Sequence, residues 1–407
     1  MTDRINISKH PIVTGTVRSL PSSKSLSNRA LIIQALLQGR GSIENLSTAR
    51  DTRLMQTLLS AKDQMINAMD AGTTLRFLTA YFGVTGQSKT ITGTERMKER
   101  PIHLLVVALR EIGVDIEYEG KEGFPPLHIK EFKNQLTDRI SIRGDVSSQF
   151  ISALMLVAPV LPQGLIIDIA SDVGSKPYLA MTAELMHAFG AKPTISDREI
   201  RIPAGGYVPA SYQVEPDWSS ASYWLSFAAL AETANLFLPG VSSTSIQGDQ
   251  VIVAIMEMLG VQSTFESGGL RLIRNSARVK QLEWNFKDCP DLAQTVLPAC
   301  AALGISGEFL GLESLRIKET DRILALQQEL KKLNAQLTEG ASRWTLTPGK
   351  LPTEGIVINT YHDHRMAMGF APLATRMDIS IESPEVVEKS YPGFWEDVKG
   401  FGFGIRG

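Results

Sequence analysis

The chain has 407 residues, which suits two domains of roughly 200 residues each better than one core. Hydrophobic residues make up 43% and charged residues 21%, as in soluble globular proteins, and a net charge of -2 without a dense run of Lys and Arg excludes a nucleic-acid reader built on a basic stripe. With only two cysteines, Cys289 and Cys300, a disulfide scaffold and a four-thiolate zinc site are also excluded.

The opening segment MTDRINISKHPIV has no apolar run of signal-peptide length. The longest apolar stretches, such as residues 154–161, are too short and too broken by Pro to span a bilayer. The expectation is a cytoplasmic protein with neither a membrane nor a nucleic-acid partner.

From Pro21 onward one segment type recurs: a strand ends in a small polar cluster, and an Ala- and Leu-rich helix follows at once. It appears as PSSKSLSNRALIIQALL from Pro21, MDAGTTLRFLTAYF from Met69, GDVSSQFISALMLVAPV from Gly144, PDWSSASYWLSFAALA from Pro216, PDLAQTVLPACAAL from Pro290 and YHDHRMAMGFAPLA from Tyr361. With Ser25, Thr73, Ser147, Ser219, Asp291 and His364 as markers, the intervals are 48, 74, 72, 72 and 73 residues. A period near 72 is too long for a solenoid repeat and fits a small α/β unit. The short first interval predicts that the unit between about residues 45 and 90 lacks strands. Each unit carries a second, amphipathic helix, as in RPIHLLVVALREIG, SKPYLAMTAELMHAFG, SIQGDQVIVAIMEMLG and KETDRILALQQELKKL. In the last, the spacing predicts that Glu319, Ile323, Leu326, Leu330 and Leu333 share one face. Gly113, Gly190 and Gly260 read as the residues that close three of these helices, with strands such as VDIEYEG and VQSTFES following. The pattern predicts an α/β (α+β) fold of six units in two domains, residues 18–216 and residues 1–17 with 217–407.

The repeated helix starts also carry chemistry. Unpaired N–H groups and the positive dipole end make a helix N-terminus an anion site. Ser25, Ser27, Ser147, Ser148, Ser175, Ser219 and Ser220 read as lying at such starts, where plain capping is the ordinary role of any one of them. Cations flank them: Lys24 and Arg29, then Arg96, Lys98 and Arg100, then Lys176, His364 with Arg365, and Lys389. Lys318 and Arg322, spaced i, i+4, are expected on one helix face. Arg suits planar, bidentate binding of carboxylate or phosphate. Among acids, Asp291 reads as a helix-start carboxylate, Glu319 lies between cations in RIKETDR, and Asp51 reads as a cap or surface group. The C-terminal GFGIRG matches G-x-G-x-x-G in form only, since no helix follows it. His362 and His364 lack a clear third partner for zinc, so no metal is expected. Met366 and Met368 read as core.

The stretches SKSLSNRAL, DAGTTLRFL, GTERMKERP, GDVSSQFISAL, SKPY, SSASY, QGD, PDLA, RIKETDR, YHDHRMAM and KSYPGFW, in this order, resemble the 5-enolpyruvylshikimate-3-phosphate synthases over the whole chain. The resemblance implies a two-domain inside-out α/β barrel of βαβαββ units, three around a pseudo-threefold axis in each domain. It further implies an active site in an interdomain cleft that closes on substrate, with no metal and no organic cofactor. The substrates implied are shikimate 3-phosphate and phosphoenolpyruvate, handled by a monomer. By position, Lys24, Ser25 and Arg29 match shikimate-phosphate contacts, with Lys24 also reaching phosphoenolpyruvate. Ser147, Ser148 and Ser175 match holders of the 3-phosphate, Gln149 touches both substrates, and Tyr178 lies beside the shikimate ring. Gly72, Arg96, Arg322, Arg365 and Lys389 match the phosphoenolpyruvate site. Asp291 and Lys318 match groups on the shikimate hydroxyls, and Glu319 and His364 the remaining catalytic positions. Asp70, Phe77 and Ser314 depart from the family's usual Asn, Pro and Asn, and the stretch between Asp51 and Asp70 is short. Two alternatives accompany this expectation. One is a UDP-N-acetylglucosamine enolpyruvyl transferase, a family that generally uses a loop cysteine. The other is a non-catalytic anion-binding paralogue.

Overall fold

A computed structural model describes residues 3–145, 147–172 and 174–407. The chain divides into two compact units. One comprises Ser22–Ser47 and Asp51–Val214; the other combines the N-terminal stretch through Pro21 with Thr48–Arg50 and Glu215–Gly407. Among the described residues the unit of residues 22–214 holds two four-stranded sheets and one two-stranded sheet, and the other unit holds three four-stranded sheets.

Each four-stranded sheet starts from a parallel pair and adds two antiparallel strands. In one, Met65–Asn67 runs parallel to Lys89–Thr92, which pairs antiparallel with Leu127–Phe132 and, through it, Val114–Tyr118. Arg139–Ile142, Leu165–Ile169, Glu199–Ile202 and Thr194–Ile195 repeat that order. So do Gln281–Asn285, Ser306–Leu310, Trp344–Thr347 and Gln336–Glu339. A parallel pair needs a crossover connection, usually a helix. The marker helices supply it: Gly72–Val84, Ser148–Val157 and Ala293–Leu303 each lie between the two parallel strands of their sheet.

The exception is the pair Ser42–Glu44 and Ser211–Gln213, parallel and alone. After Ser42–Glu44 the helix Arg50–Leu59 leads directly to Met65–Asn67, which belongs to the next sheet. The two antiparallel strands that complete the other sheets are what the short interval between markers omits.

The core is laid down by the marker helices. In Ser148–Val157 every residue from Phe150 to Val157 is buried, and so is nearly all of Trp218–Leu230. A helix apolar on all sides must be enclosed. Trp224 stacks on Phe227 at 5.2 Å between centroids, and Met366 and Met368 are fully buried. Each fully buried large apolar side chain contributes roughly 1.5–3 kcal/mol. Gly113, Gly190 and Gly260 do close their helices, with φ of 118°, 82° and 90°. At Gly260 a Cβ would also lie 2.6 Å from the Asn275 carbonyl oxygen, so only glycine fits. Among the described residues no helix is long and apolar enough to cross a membrane.

Two local expectations are corrected. The helix of the RIKETDR region is Arg322–Lys332, so Glu319 lies before it and does not share its apolar face, whereas Ile323, Leu326, Leu330 and the adjoining Leu333 are fully buried. Lys318 is extended and likewise outside the helix, so it shares no helix face with Arg322. The reason is Asp321, whose carboxylate accepts from the Leu324 N–H at 3.0 Å and starts the helix there.

Helix His364–Phe370 packs on Ala293–Leu303 through Gly369, where a Cβ would drive into the Gln294 carbonyl oxygen. Gly369→Ala is therefore expected to destabilise the chain by about 1–3 kcal/mol, the usual penalty of overpacking. A denaturant titration reads it, and an unchanged midpoint would show that the helices separate freely.

Candidate active site

In the unit containing Glu215–Gly407, one guanidinium organises three carboxylates. Arg322 is buried at the first position of its helix. It donates from Nη1 to Asp291 Oδ1 at 2.8 Å, from Nη2 to Glu319 Oε2 at 2.9 Å, and from Nε to Asp363 Oδ2 at 2.7 Å. Burying a cation is tolerable only when it is paired and hydrogen-bonded, and Arg322 meets both conditions. Burial alone lowers its pKa, but Asp363, Glu319 and Asp291 outweigh that and raise it above the ordinary arginine value.

Asp291 is the meeting point of cations. Arg365 Nη2 donates to its Oδ2 at 2.9 Å, Arg322 holds Oδ1, and Lys318 Nζ stands 3.8 Å from Oδ1. Burial pushes the carboxyl up, yet Arg365, Lys318 and Arg322 together hold it well below the usual carboxylate range. Arg365 also reaches the Tyr223 hydroxyl and Ser219 Oγ, each at 3.4 Å. Ser219 donates to Asp249, whose pKa is pushed up to about 6, first by burial and then by the charge of Asp291. His364 is buried, with Nδ1 3.5 Å from Asp363 Oδ1, and Lys389, itself buried, ends the 3-10 turn Pro384–Lys389.

Asp363 was not singled out by sequence reasoning, although its place before HRMAM is a capping position. It accepts from the Arg365 N–H at 2.9 Å, starting His364–Phe370, and anchors Arg322 with the same carboxylate. In the same way Asp217, not Ser219 or Ser220, caps Trp218–Leu230, and Ser23, not Ser25 or Ser27, caps Lys24–Leu36. Asp291 does not act as a cap: its oxygens are taken by side-chain cations.

In the unit of residues 22–214, Lys24 opens its helix and pairs with Asp51 at 3.1 Å. Asp51 is buried, which corrects its reading as a surface group. Ser25 follows Lys24, and its carbonyl accepts from Arg29 Nη1 at 3.0 Å. Arg29 points inward. It donates to Thr182 Oγ1 at 2.7 Å and Ser152 Oγ at 3.1 Å, and lies over the rings of Phe77 and Tyr178. Burial lowers its pKa to about 10. Ser147 caps Ser148–Val157, accepting from the Gln149 N–H at 3.3 Å. Ser175 precedes Lys176–Ala188 in the left-handed region, φ 59°, and makes no side-chain cap bond. A non-glycine residue in that conformation is held there by its surroundings, and such strain clusters at functional sites. The Gln149 side chain bridges Thr73 Oγ1 and Arg76 Nη1, each at 3.1 Å. Gly72 opens Gly72–Val84, whose cap residue Ala71 offers no side-chain acceptor. Arg96 is comparatively exposed and pairs with Glu99 at 3.1 Å.

Both thiols are buried; burial pushes Cys289 up to about 12 and raises Cys300 as well. Among the described residues no group of three or more His, Cys, Asp or Glu side chains could hold a metal ion.

Buried arginines matched by carboxylates mark a mixed α/β protein of the class that handles small, multiply charged ligands. A family model described as EPSP synthase (3-phosphoshikimate 1-carboxyvinyltransferase) matches residues 7–61 and 54–398, and the chain belongs to that family. It is 46% identical over 391 residues to the 3-phosphoshikimate 1-carboxyvinyltransferase of Bacteroides fragilis (strain YCH46), covering 95% of each chain. It is 34% identical over 427 residues to the enzyme of that name from Burkholderia multivorans (strain ATCC 17616 / 249), covering 97% of this chain and 98% of that one. An EPSP synthase structure from Acinetobacter baumannii shares the fold at a TM-score of 0.77 and 20% identity, over 100% of both chains.

Proposed function

We propose that this chain moves the enolpyruvyl group of phosphoenolpyruvate onto the 5-hydroxyl of shikimate 3-phosphate and releases phosphate. The observation that carries this reading is Asp291, a buried carboxylate held by Arg322, Arg365 and Lys318. Both arginines are paired with Asp291, and Arg322 also with Glu319 and Asp363. A donor carboxylate that takes over their N–H groups releases Asp291, whose basicity then rises because its cations now face another anion. Asp291 accepts the proton of the attacking hydroxyl as the C–O bond forms. Glu319 or Lys24 delivers a proton to the methylene carbon, making the methyl of a tetrahedral adduct. The adduct then loses a methyl proton and phosphate, restoring the double bond, and the same groups act in reverse. Arg and Lys side chains take up the charge of the departing phosphate. The reading assigns Arg322, Arg365, Lys389, Arg96, Gly72 and Gln149 to the donor. It assigns Ser25, Arg29, Ser147, Ser148, Ser175, Gln149, Tyr178, Asp291 and Lys318 to the acceptor, and Lys24 to both. His364 completes the catalytic positions. The six-unit inside-out barrel, with residues 18–216 as the acceptor-binding domain and the rest as its counterpart, is part of the same proposal. The recurring strand order of the four-stranded sheets supports it.

Neither buried thiol suits the cysteine chemistry of the UDP-N-acetylglucosamine transferases. Phosphate release from phosphoenolpyruvate, assayed with shikimate 3-phosphate and separately with UDP-N-acetylglucosamine, tests the proposal. Release with the sugar nucleotide alone, or with neither, overturns it.

Ser175 gives a second test. Its hydroxyl makes no cap bond, so Ser175→Ala is expected to weaken shikimate 3-phosphate binding roughly ten- to a hundredfold, the loss of one hydrogen bond to a charged group. Unphosphorylated shikimate should bind as before. Calorimetry with both ligands reads the difference, and equal losses for the two would remove Ser175 from the phosphate site.

A further inference from the structure

Arg100 is a cation with no place in the roles given above. It is 6% exposed, and its Nε and Nη1 atoms are buried without a hydrogen-bond partner. An arginine in that state is costly, because a buried charge normally finds an acceptor. Its guanidinium lies close against Gly72: a Cβ there would come within 2.8 Å of Nη1 and 3.0 Å of Nη2. The same Cβ would meet Arg76 Nη1 at 2.5 Å. Arg76 is itself buried and donates to Gln149 Oε1 and the Pro101 carbonyl. Two guanidiniums thus crowd the first residue of Gly72–Val84, where N–H groups lack helix partners and Ala71 provides no side-chain cap. Like charges repel in that setting, and the helix dipole adds positive potential. Fork donors, open amides and a missing acceptor all ask for one dianion.

We propose that Arg100 is a positioning residue for the phosphate of the enol donor, acting from behind Gly72 through the first amides of the helix and through Arg76. The proposal rests on the transferase reading, and it names the phosphate because a doubly charged group answers two guanidiniums better than a carboxylate does. Glycine at position 72 is then required so that both guanidiniums can approach the helix start.

The test is steady-state kinetics of the full chain with Arg100→Gln and Arg100→Lys, with inorganic phosphate and pyruvate as inhibitors. In Arg100→Gln, KM for phosphoenolpyruvate and the inhibition constant of phosphate are expected to rise roughly tenfold or more, because the donors facing the phosphate lose the charge behind them. KM for shikimate 3-phosphate and inhibition by pyruvate should stay put, and Arg100→Lys should recover part of the loss, since it restores the charge without the fork. Unchanged constants, equal rises for both substrates, or a loss confined to pyruvate overturn the proposal. If Arg100→Gln does not fold, Arg100→Lys decides alone: a donor-selective rise in KM supports the proposal, and its absence overturns it. A wild-type chain without transferase activity is a failure of the underlying reading instead. Calorimetric phosphate binding, wild type against the variants, then still decides whether Arg100 serves a phosphate.

Discussion

Asp291→Asn is expected to cut kcat by a hundred- to ten-thousandfold, the range of a lost general acid or base, while KM for phosphoenolpyruvate does not rise. The split follows from the geometry. Asn keeps the shape, but its one amide oxygen can accept from only one of Arg322 and Arg365, which hold the two carboxylate oxygens at 2.8 and 2.9 Å, and its NH2 faces the other. It no longer neutralises them, so an anionic donor meets more positive charge than before. It also cannot take the hydroxyl proton. Steady-state kinetics separates the two effects. A kcat within about tenfold of wild type, a barrier change of only about 1.4 kcal/mol, would mean that another group removes the proton.

Arg322→Met should act first on stability. It strips the shared partner from Asp291, Glu319 and Asp363, of which Asp363 is fully buried. Breaking a buried ion pair from one side costs about 3–5 kcal/mol, because the other charge is left stranded. For a unit of this size that lowers Tm by roughly 6–20 °C. Arg322→Lys retains the charge but cannot fork to three acceptors, so it should fall between wild type and Met. Calorimetry of the three proteins gives the order. A Met variant as stable as wild type would show that these carboxylates are neutral in the folded chain.

The layout of elements was legible where the chain repeats itself. A helix apolar on every side, such as Ser148–Val157, and glycines such as Gly113 and Gly260 state their roles locally, since periodicity and positive φ are local properties. The short sheet was legible as well, because two absent strands shorten the interval between Ser25 and Thr73. Helix caps were misplaced by two to four residues wherever several polar residues stand in a row. In SSKSLS and DWSS the capping residue is decided by which oxygen reaches an N–H, not by composition. Glu319 and Lys318 were set on a helix because their spacing suits one, but Asp321 begins that helix later. The bonds of Arg322 to Asp291 and Asp363 and the pairing of Lys24 with Asp51 join positions far apart in sequence, and no local pattern announces them. Arg100 was one of three cations in GTERMKERP, beside Arg96 and Lys98, until burial set it apart.

The N-terminal strand Arg4–Ile7 lies between Ile379–Glu382 and Ile405–Arg406, and Ile12–Thr16 pairs with Thr233–Pro239. On the ribosome, where domains form in order of emergence, these two strands have no partners for most of synthesis. Residues 22–214 can complete their own sheets long before, so the second unit in sequence terms is the first able to fold. Ile12–Thr16 must wait for Thr233–Pro239, and Arg4–Ile7 for the last residues of the chain. The two strands are short and carry Arg4 and Asn6 among their apolar positions, which limits premature strand pairing during that delay. Pulse proteolysis of nascent chains halted after residue 300 should therefore find the 22–214 unit protected and the Arg4–Ile7 strand cleaved.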